Sequence, residues 1–194
     1  MTTIGGSNIH NIAVEGSFDD CQKIVKDLFN DESFRSKINM SGVNSINWSR
    51  IVCQIVYYFY SYFKLQKDNL SFSVPTGNFG DIFAGYVAKK MGLPIDKLIV
   101  ATNENDILQR VINSGVYKPD TVKTSITPSM DIQVASNFER LLFYILDEND
   151  QKVSMLMNDL SLKGSFNLDK EVVKKIKKDF EAVKINDEET QKII

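Results

Sequence analysis

The sequence predicts an α/β chain built on a mainly parallel sheet. Short β-type runs alternate with helices at the close spacing of βαβ units. The strongest helical segment carries two adjacent apolar stripes, the mark of a helix buried over a wide arc against a sheet. A glycine-containing turn directly after a strand completes the pattern.

The elements follow in order. Ile9 to Val14 is a short apolar-rich run that reads as a strand. Ser17 opens a helix with Asp20 in a capping-box relation and with Cys21, Ile24, Val25 and Leu28 on one face. Residues 31 to 47 read as a short helix and a polar loop. From Trp48 to Leu65 runs the strong helix, with Ile51, Ile55, Tyr58 and Tyr62 on one stripe and Val52, Val56, Phe59 and Phe63 on the other. Leu70 to Val74 is a strand that meets Pro75, and a helix through Ile82 and Tyr86 ends at Gly92 and Pro94. Lys97 to Ala101 is a second strand, followed by a helix from Asn103 to about Asn113 that stops at Gly115. A Thr/Ser/Pro loop then leads into a long helix from about Ile132 to Leu146. The remainder, Asp150 to Ile194, reads as helical and charged, an appendage without strands.

Bulk properties exclude several classes. At 194 residues with 43% hydrophobic and 25% charged residues, the chain can bury a real core. A net charge of −2 argues against a general nucleic-acid binder. The basic run Lys170 to Lys178 is followed by Asp179, Glu181, Asp187, Glu188 and Glu189 and reads as a solvated helix face. Cys21 and Cys53 are isolated, which suits a reducing compartment. No apolar run is long enough to span a membrane, and the N-terminus has no signal-peptide pattern, so a cytoplasmic location is expected. With His10 the only histidine, neither a Ser-His-Asp arrangement nor a metal cluster can be assembled.

Two segments carry chemistry. In Val74-Pro75-Thr76-Gly77-Asn78-Phe79-Gly80-Asp81 a strand ends, the backbone turns through two glycines and a helix begins. Such a turn presents unpaired amide donors and the positive end of a helix dipole, which suits a phosphate, although the same spacing also serves as an ordinary turn. Asp81 suits an anion site poorly and is expected to cap the helix. No Gly-Lys-Ser/Thr follows, so this is not a Walker loop. In Asn44-Ser45-Ile46-Asn47-Trp48-Ser49-Arg50, Asn44 and Ser45 offer side-chain donors, Asn47 can cap, and Arg50 falls in the first helical turn. A cation there opposes the helix dipole, and a shared anion would rationalise it; a plain cap with a surface arginine is the alternative. Asn103 with Asp106 reads as a capping pair, and Ser129 or Asp131 as the cap of the long helix.

These two segments, together with Ala101-Thr102-Asn103-Glu104-Asn105-Asp106, Ser129-Met130-Asp131-Ile132, Asn137-Phe138-Glu139-Arg140-Leu141 and Val14-Glu15-Gly16-Ser17-Phe18, are similar to threonine synthase and occur in that family's order. The resemblance runs through about Leu146 and weakens beyond it. It implies the three-layer αβα architecture of fold-type-II pyridoxal-phosphate enzymes, like the tryptophan synthase β chain. On that footing residues 1–146 belong to the α/β region, with parts of both family domains, and 147–194 form the appendage. It also implies pyridoxal 5′-phosphate as cofactor, its phosphate held by Gly77, Asn78, Phe79 and Gly80. The phosphate of the substrate O-phosphohomoserine would be held by Asn44, Ser45 and Arg50.

The implied chemistry removes phosphate from the γ-carbon and adds water at the β-carbon, the cofactor ring serving as electron sink. The family's Schiff-base lysine belongs to a Phe-Lys-Asp motif. No Phe-Lys-Asp occurs here, and Phe63-Lys64 is followed by Leu65. No catalytic residue is therefore assigned, the isolated chain is expected to be inactive, and apolar surface left uncovered would favour self-association. The alternative is a non-catalytic phosphate-ligand-binding module that kept the cradle.

Overall fold

A computed structural model describes residues 6–42 and 44–193, which divide into two compact units, Met1–Met40 and Ser41–Ile194. In the first unit, helix α1 (Phe18–Asn30) begins with the expected capping box: the Ser17 side chain accepts from the Asp20 amide, and the Asp20 carboxylate accepts from the Ser17 amide at 2.7 Å. Its inner side differs from the expected stripe. Gln22 is buried and Val25 and Phe29 are half-buried, while Ile24 and Leu28 are exposed. Helix α2 (Glu32–Arg35) is capped by Asp31. Residues 9–14, expected as a strand, are exposed and irregular: a strand needs a ladder partner, which six apolar-rich residues cannot supply by themselves.

The second unit is of the expected α/β class. Strands β1 (Leu70–Pro75), β2 (Ile95–Thr102) and β5 (Phe180–Lys184) form a parallel sheet in the order β1-β2-β5. Register places Phe72 beside Leu98 beside Phe180, and Val74 beside Val100 beside Ala182. That face is the core side: Leu98, Val100 and Phe180 are fully buried. Because strand side chains alternate, Ser71, Ser73, Glu181 and Val183 point the other way, and they are exposed. Helix α4 (Gly80–Lys90) crosses from β1 to β2, and Gly85 is a glycine because a Cβ there would come within 2.5 Å of the Tyr58 ring and 2.9 Å of Leu98.

Helix α3 (Trp48–Leu65) has the predicted limits and packs on α4 through Ile51, Ile55 and Tyr58. The second stripe departs from expectation: Val56 is 61% and Phe63 66% exposed. Helix α4 covers only one side of α3, so the wide buried arc narrows to a single stripe.

Helix α5 (Ile107–Ser114) ends at Gly115, which adopts the left-handed conformation as expected. A two-stranded antiparallel ribbon joins β3 (Val116–Tyr117) to β4 (Phe166–Asn167), with the Tyr117 and Phe166 rings stacked at 4.7 Å. Helices α6 (Phe138–Ile145), α7 (Asp150–Lys163), α8 (Lys170–Asp179) and α9 (Asp187–Ile193) complete the unit. The long helix expected from Ile132 is cut to α6, and residues 131–137 take an irregular path after a 3-10 turn at Pro128–Met130. The tail expected to be helical throughout contributes β4 and the edge strand β5. Helix α8 does present its lysines to solvent while burying Ile176. Among the described residues, no helix is long and apolar enough to cross a membrane.

Candidate functional site

The carboxyl end of β1 runs into the glycine turn. The Thr76 amide donates to the Ala101 carbonyl at 2.8 Å, the last tie to the sheet before the chain turns at Gly77. Phe79 then takes a left-handed conformation (φ 65°), which for a bulky residue costs on the order of 1 kcal/mol. Its ring offsets this by packing fully buried against Phe138 at 5.4 Å and Phe180 at 5.6 Å. Helix α4 starts at Gly80 with no side-chain cap. Among the described residues, the amide N–H groups of Gly77, Asn78, Phe79 and Gly80 meet no acceptor. Unpaired helix-start donors of this kind fit an oxyanion such as a phosphate.

Asp81 does not cap the helix, contrary to the sequence expectation. It lies two positions past the N-cap, Phe79, and its carbonyl accepts from the Tyr58 hydroxyl at 2.9 Å. Burial pushes its carboxyl above the ordinary carboxylate range, against the opposing effect of the Tyr58 hydrogen bond. Burial, followed by the Asp81 charge and hydrogen bond, drives the Tyr58 phenol upward.

The second predicted segment lies against the first. A Cβ on Gly80 would stand 2.6 Å from the Ser45 Cβ, so glycine at 80 is what lets the two loops touch. Asn78 Nδ2 donates to Ser45 Oγ at 2.6 Å. Asn137, completely buried, sits behind both: its Nδ2 reaches Ser45 Oγ, Asn78 O and Asn78 Oδ1, each at 3.1 Å. Asn44 folds back locally, its Oδ1 accepting from the Ile46 amide at 3.0 Å, and Asn47 caps α3 through the Ser49 amide as expected.

Arg50 is exposed in the first turn of α3. The arginine embedded in this cluster is Arg140, whose Nη2 donates to the Ile46 carbonyl at 2.8 Å and whose guanidinium lies 5.5 Å from the Trp48 ring centroid. The Asn137-Phe138-Glu139-Arg140 stretch was legible only as a resemblance, since nothing local marks a side chain that acts on residues 59 to 94 positions away.

A separate polar cluster occupies the end of β2. Asp131 Oδ1 accepts from Ser125 Oγ at 2.6 Å, Asn103 Nδ2 at 2.7 Å and Asn105 Nδ2 at 3.1 Å, and its Oδ2 accepts from the Ser125 amide at 3.0 Å. Asn103 and Asp106 are therefore not a capping pair, nor does Asp131 cap a helix. Asp106 instead binds Arg110 at 2.8 Å and Lys184 at 3.3 Å. Burial works to raise its carboxyl, but those two cations outweigh burial and hold it below the ordinary range. A cavity of about 230 Å³ opens beside this cluster, bordered by Pro75, Thr102, Asn103 and Met130; the Gly77–Gly80 turn does not line it.

Fold and loops together define an α/β chain in which the donor-rich turn after β1 adjoins the donor-rich loop before α3, a geometry that suits an anionic ligand. Relatives make the assignment specific. Threonine synthase of Saccharomyces cerevisiae is 48% identical over 208 aligned residues, covering 100% of this chain and 40% of the relative. That of Pseudomonas aeruginosa is 50% identical over 192, covering 98% of this chain and 41% of the relative. Among solved structures, a PLP-bound threonine synthase from Brucella melitensis superposes with a TM-score of 0.85 at 50% identity, over 98% of this chain and 41% of that one. The Escherichia coli enzyme superposes at 0.76 with 33% identity, over 96% of this chain and 39% of that one. No family model matches. The chain belongs to the threonine synthase family and spans about 40% of the length of the relatives it matches.

Proposed function

We propose that this chain is the phosphoryl-binding region of a pyridoxal-phosphate lyase that converts O-phosphohomoserine and water to threonine and phosphate. One observation carries the reading: the two anion-suited loops meet, with Asn78 bonded to Ser45 at 2.6 Å and the Gly77–Gly80 amides unmatched by any described acceptor. Identity near 50% across the whole chain favours this over a stand-alone binding module.

On this reading the amides of Gly77, Asn78, Phe79 and Gly80 hold the cofactor phosphate. When bound, the cofactor supplies an electron sink for bond cleavage at the substrate carbons. Asn44, Ser45 and Arg50 bind the substrate phosphate, orienting the γ-carbon–oxygen bond for departure and stabilising charge on the leaving group. Arg50 reaches that role from an exposed position, which suits contact with an incoming dianion. Residues 1–146 contribute parts of two α/β domains, and 147–194 extend the sheet-bearing one through β5. The protein acts in the cytoplasm and handles a small-molecule substrate, with no nucleic-acid or membrane partner. The exposed face of α3 favours self-association of the isolated chain.

A titration with pyridoxal 5′-phosphate, followed by amide shifts at Gly77, Asn78 and Gly80, tests the cradle; unmoved resonances at saturating cofactor refute it. Residues 1–194 contain no Phe-Lys-Asp, so the chain alone is expected to show no turnover of O-phosphohomoserine. Phosphate release above background would contradict that expectation.

A further inference from the structure

Hydrogen-bond direction around Ser45 is fixed from outside the two loops. Arginine can only donate, so Arg140 Nε, 3.0 Å from the Asn137 side chain, obliges Asn137 to present its oxygen there. The other end of that amide is then the NH2 group, whose two protons are shared among Asn78 O, Asn78 Oδ1 and Ser45 Oγ. Asn78 in turn must direct its own NH2 to Ser45 Oγ. The Ser45 oxygen is thereby flanked by two NH2 groups, neither of which can accept a proton from it. A hydroxyl has one proton and two lone pairs, so the Ser45 proton must point elsewhere, and no described residue accepts it. Ser45 is only half-buried, which leaves that proton open to a ligand, whereas Asn137 behind it is sealed from solvent. Arg140 itself is held by the Ile46 carbonyl and the Trp48 ring and cannot easily turn away.

We propose that Arg140, acting through Asn137, is a positioning residue that sets the direction of this relay and commits the Ser45 hydroxyl to donate to a phosphoryl oxygen. The proposal rests on the reading of Ser45 as part of a phosphate site. Without Arg140 the Asn137 amide is free to turn over, Ser45 can spend its proton on an asparagine oxygen, and the site loses a donor although every loop residue remains.

The test is a double-mutant cycle on the full chain, with inorganic phosphate as probe and the Ser45 amide resonance as readout. Arg140→Met keeps the packing length against Trp48 and removes the donor. It should weaken phosphate binding roughly tenfold when Ser45 is present, the worth of one directed hydrogen bond to a charged group. In the Ser45→Ala background the same change should cost no more than about twofold, because the relay no longer has an endpoint. A loss through remote charge alone would be equal in both backgrounds, and equal losses overturn the proposal, as does unchanged affinity in Arg140→Met. If the unmodified chain shows no phosphate-dependent shift at Ser45 at all, the phosphate-site reading itself falls and takes the relay with it. Should Arg140→Met not fold, neutron diffraction on the unmodified chain decides. Deuterium on Ser45 Oγ directed away from Asn78 and Asn137 supports the relay, and deuterium directed at either of them refutes it.

Discussion

Two asparagine-rich clusters sit at the carboxyl ends of neighbouring strands, and they solve opposite problems. At the end of β2, donors from Asn103, Asn105 and Ser125 converge on the Asp131 carboxylate, so the protein supplies both donors and anion. At the end of β1, the Ser45 hydroxyl proton and the amides of the glycine turn meet no described acceptor. Both clusters have similar composition. On the proposed reading the difference is where the negative charge comes from: the first cluster is closed on its own carboxylate, and the second is open to that of a ligand. Donor density alone would not separate them, whereas counting acceptors does.

Perturbations should divide along the same line. Asp131→Ala strands several buried donors at once and should cost about 3 kcal/mol of folding free energy, seen as a lowered urea midpoint. Phosphate affinity of the molecules that remain folded should change little. Gly80→Ala forces a Cβ to within 2.6 Å of Ser45 and should separate the two loops. Its stability cost should be about 1–3 kcal/mol, and its larger signature a loss of at least about tenfold in phosphate affinity by calorimetry. If Asp131→Ala abolished binding while Gly80→Ala left it intact, the division into closed and open clusters would be reversed. Tyr58→Phe leaves the Asp81 carbonyl without its partner at the start of α4 and should cost about 1 kcal/mol on thermal unfolding.

The fourth change probes the rim of the closed cluster. Asp106 is held below its ordinary value of 3.8, so its contribution is full above that value and is lost as pH falls through the depressed one. Asp106→Asn should therefore lower stability by up to about 1 kcal/mol at pH 7, with the difference from the unmodified chain shrinking in acid. Smallest of all, Val56→Lys on the exposed stripe of α3 should alter stability by less than about 0.5 kcal/mol, while reducing any concentration-dependent association seen by sedimentation.

Much of the fold was legible because α3, β1, α4, β2 and the Gly115 stop are encoded locally, in apolar periodicity and chain-breaking residues. The errors share a cause. Ile132 to Leu146 has a helical period, but Asp131 is recruited by distant donors and Asn137 by distant acceptors, and periodicity does not register that competition. The start of α5 slipped from Asn103 to Ile107 for the same reason: Asn103 and Asn105 face the Asp131 cluster. Strand β5 was overlooked because only Phe180 and Ala182 of its five residues turn inward, a weak alternation after a lysine-rich helix. For the candidate site, the glycine turn and Ser45 could be named from sequence, but their contact across 33 positions could not. The buttress made by Asn137 and Arg140 left no local trace.

Phe79 ties the shape of the glycine turn to the hydrophobic core, because its left-handed backbone is kept by a ring wedged between Phe138 and Phe180. On the proposed reading a ligand arriving there would meet a mould already cast, its ordering entropy settled during folding rather than at encounter. Association should accordingly be fast and without a slow isomerisation phase. Affinity should hold steady through sub-denaturing urea and then collapse together with the near-ultraviolet signal of the aromatic interior.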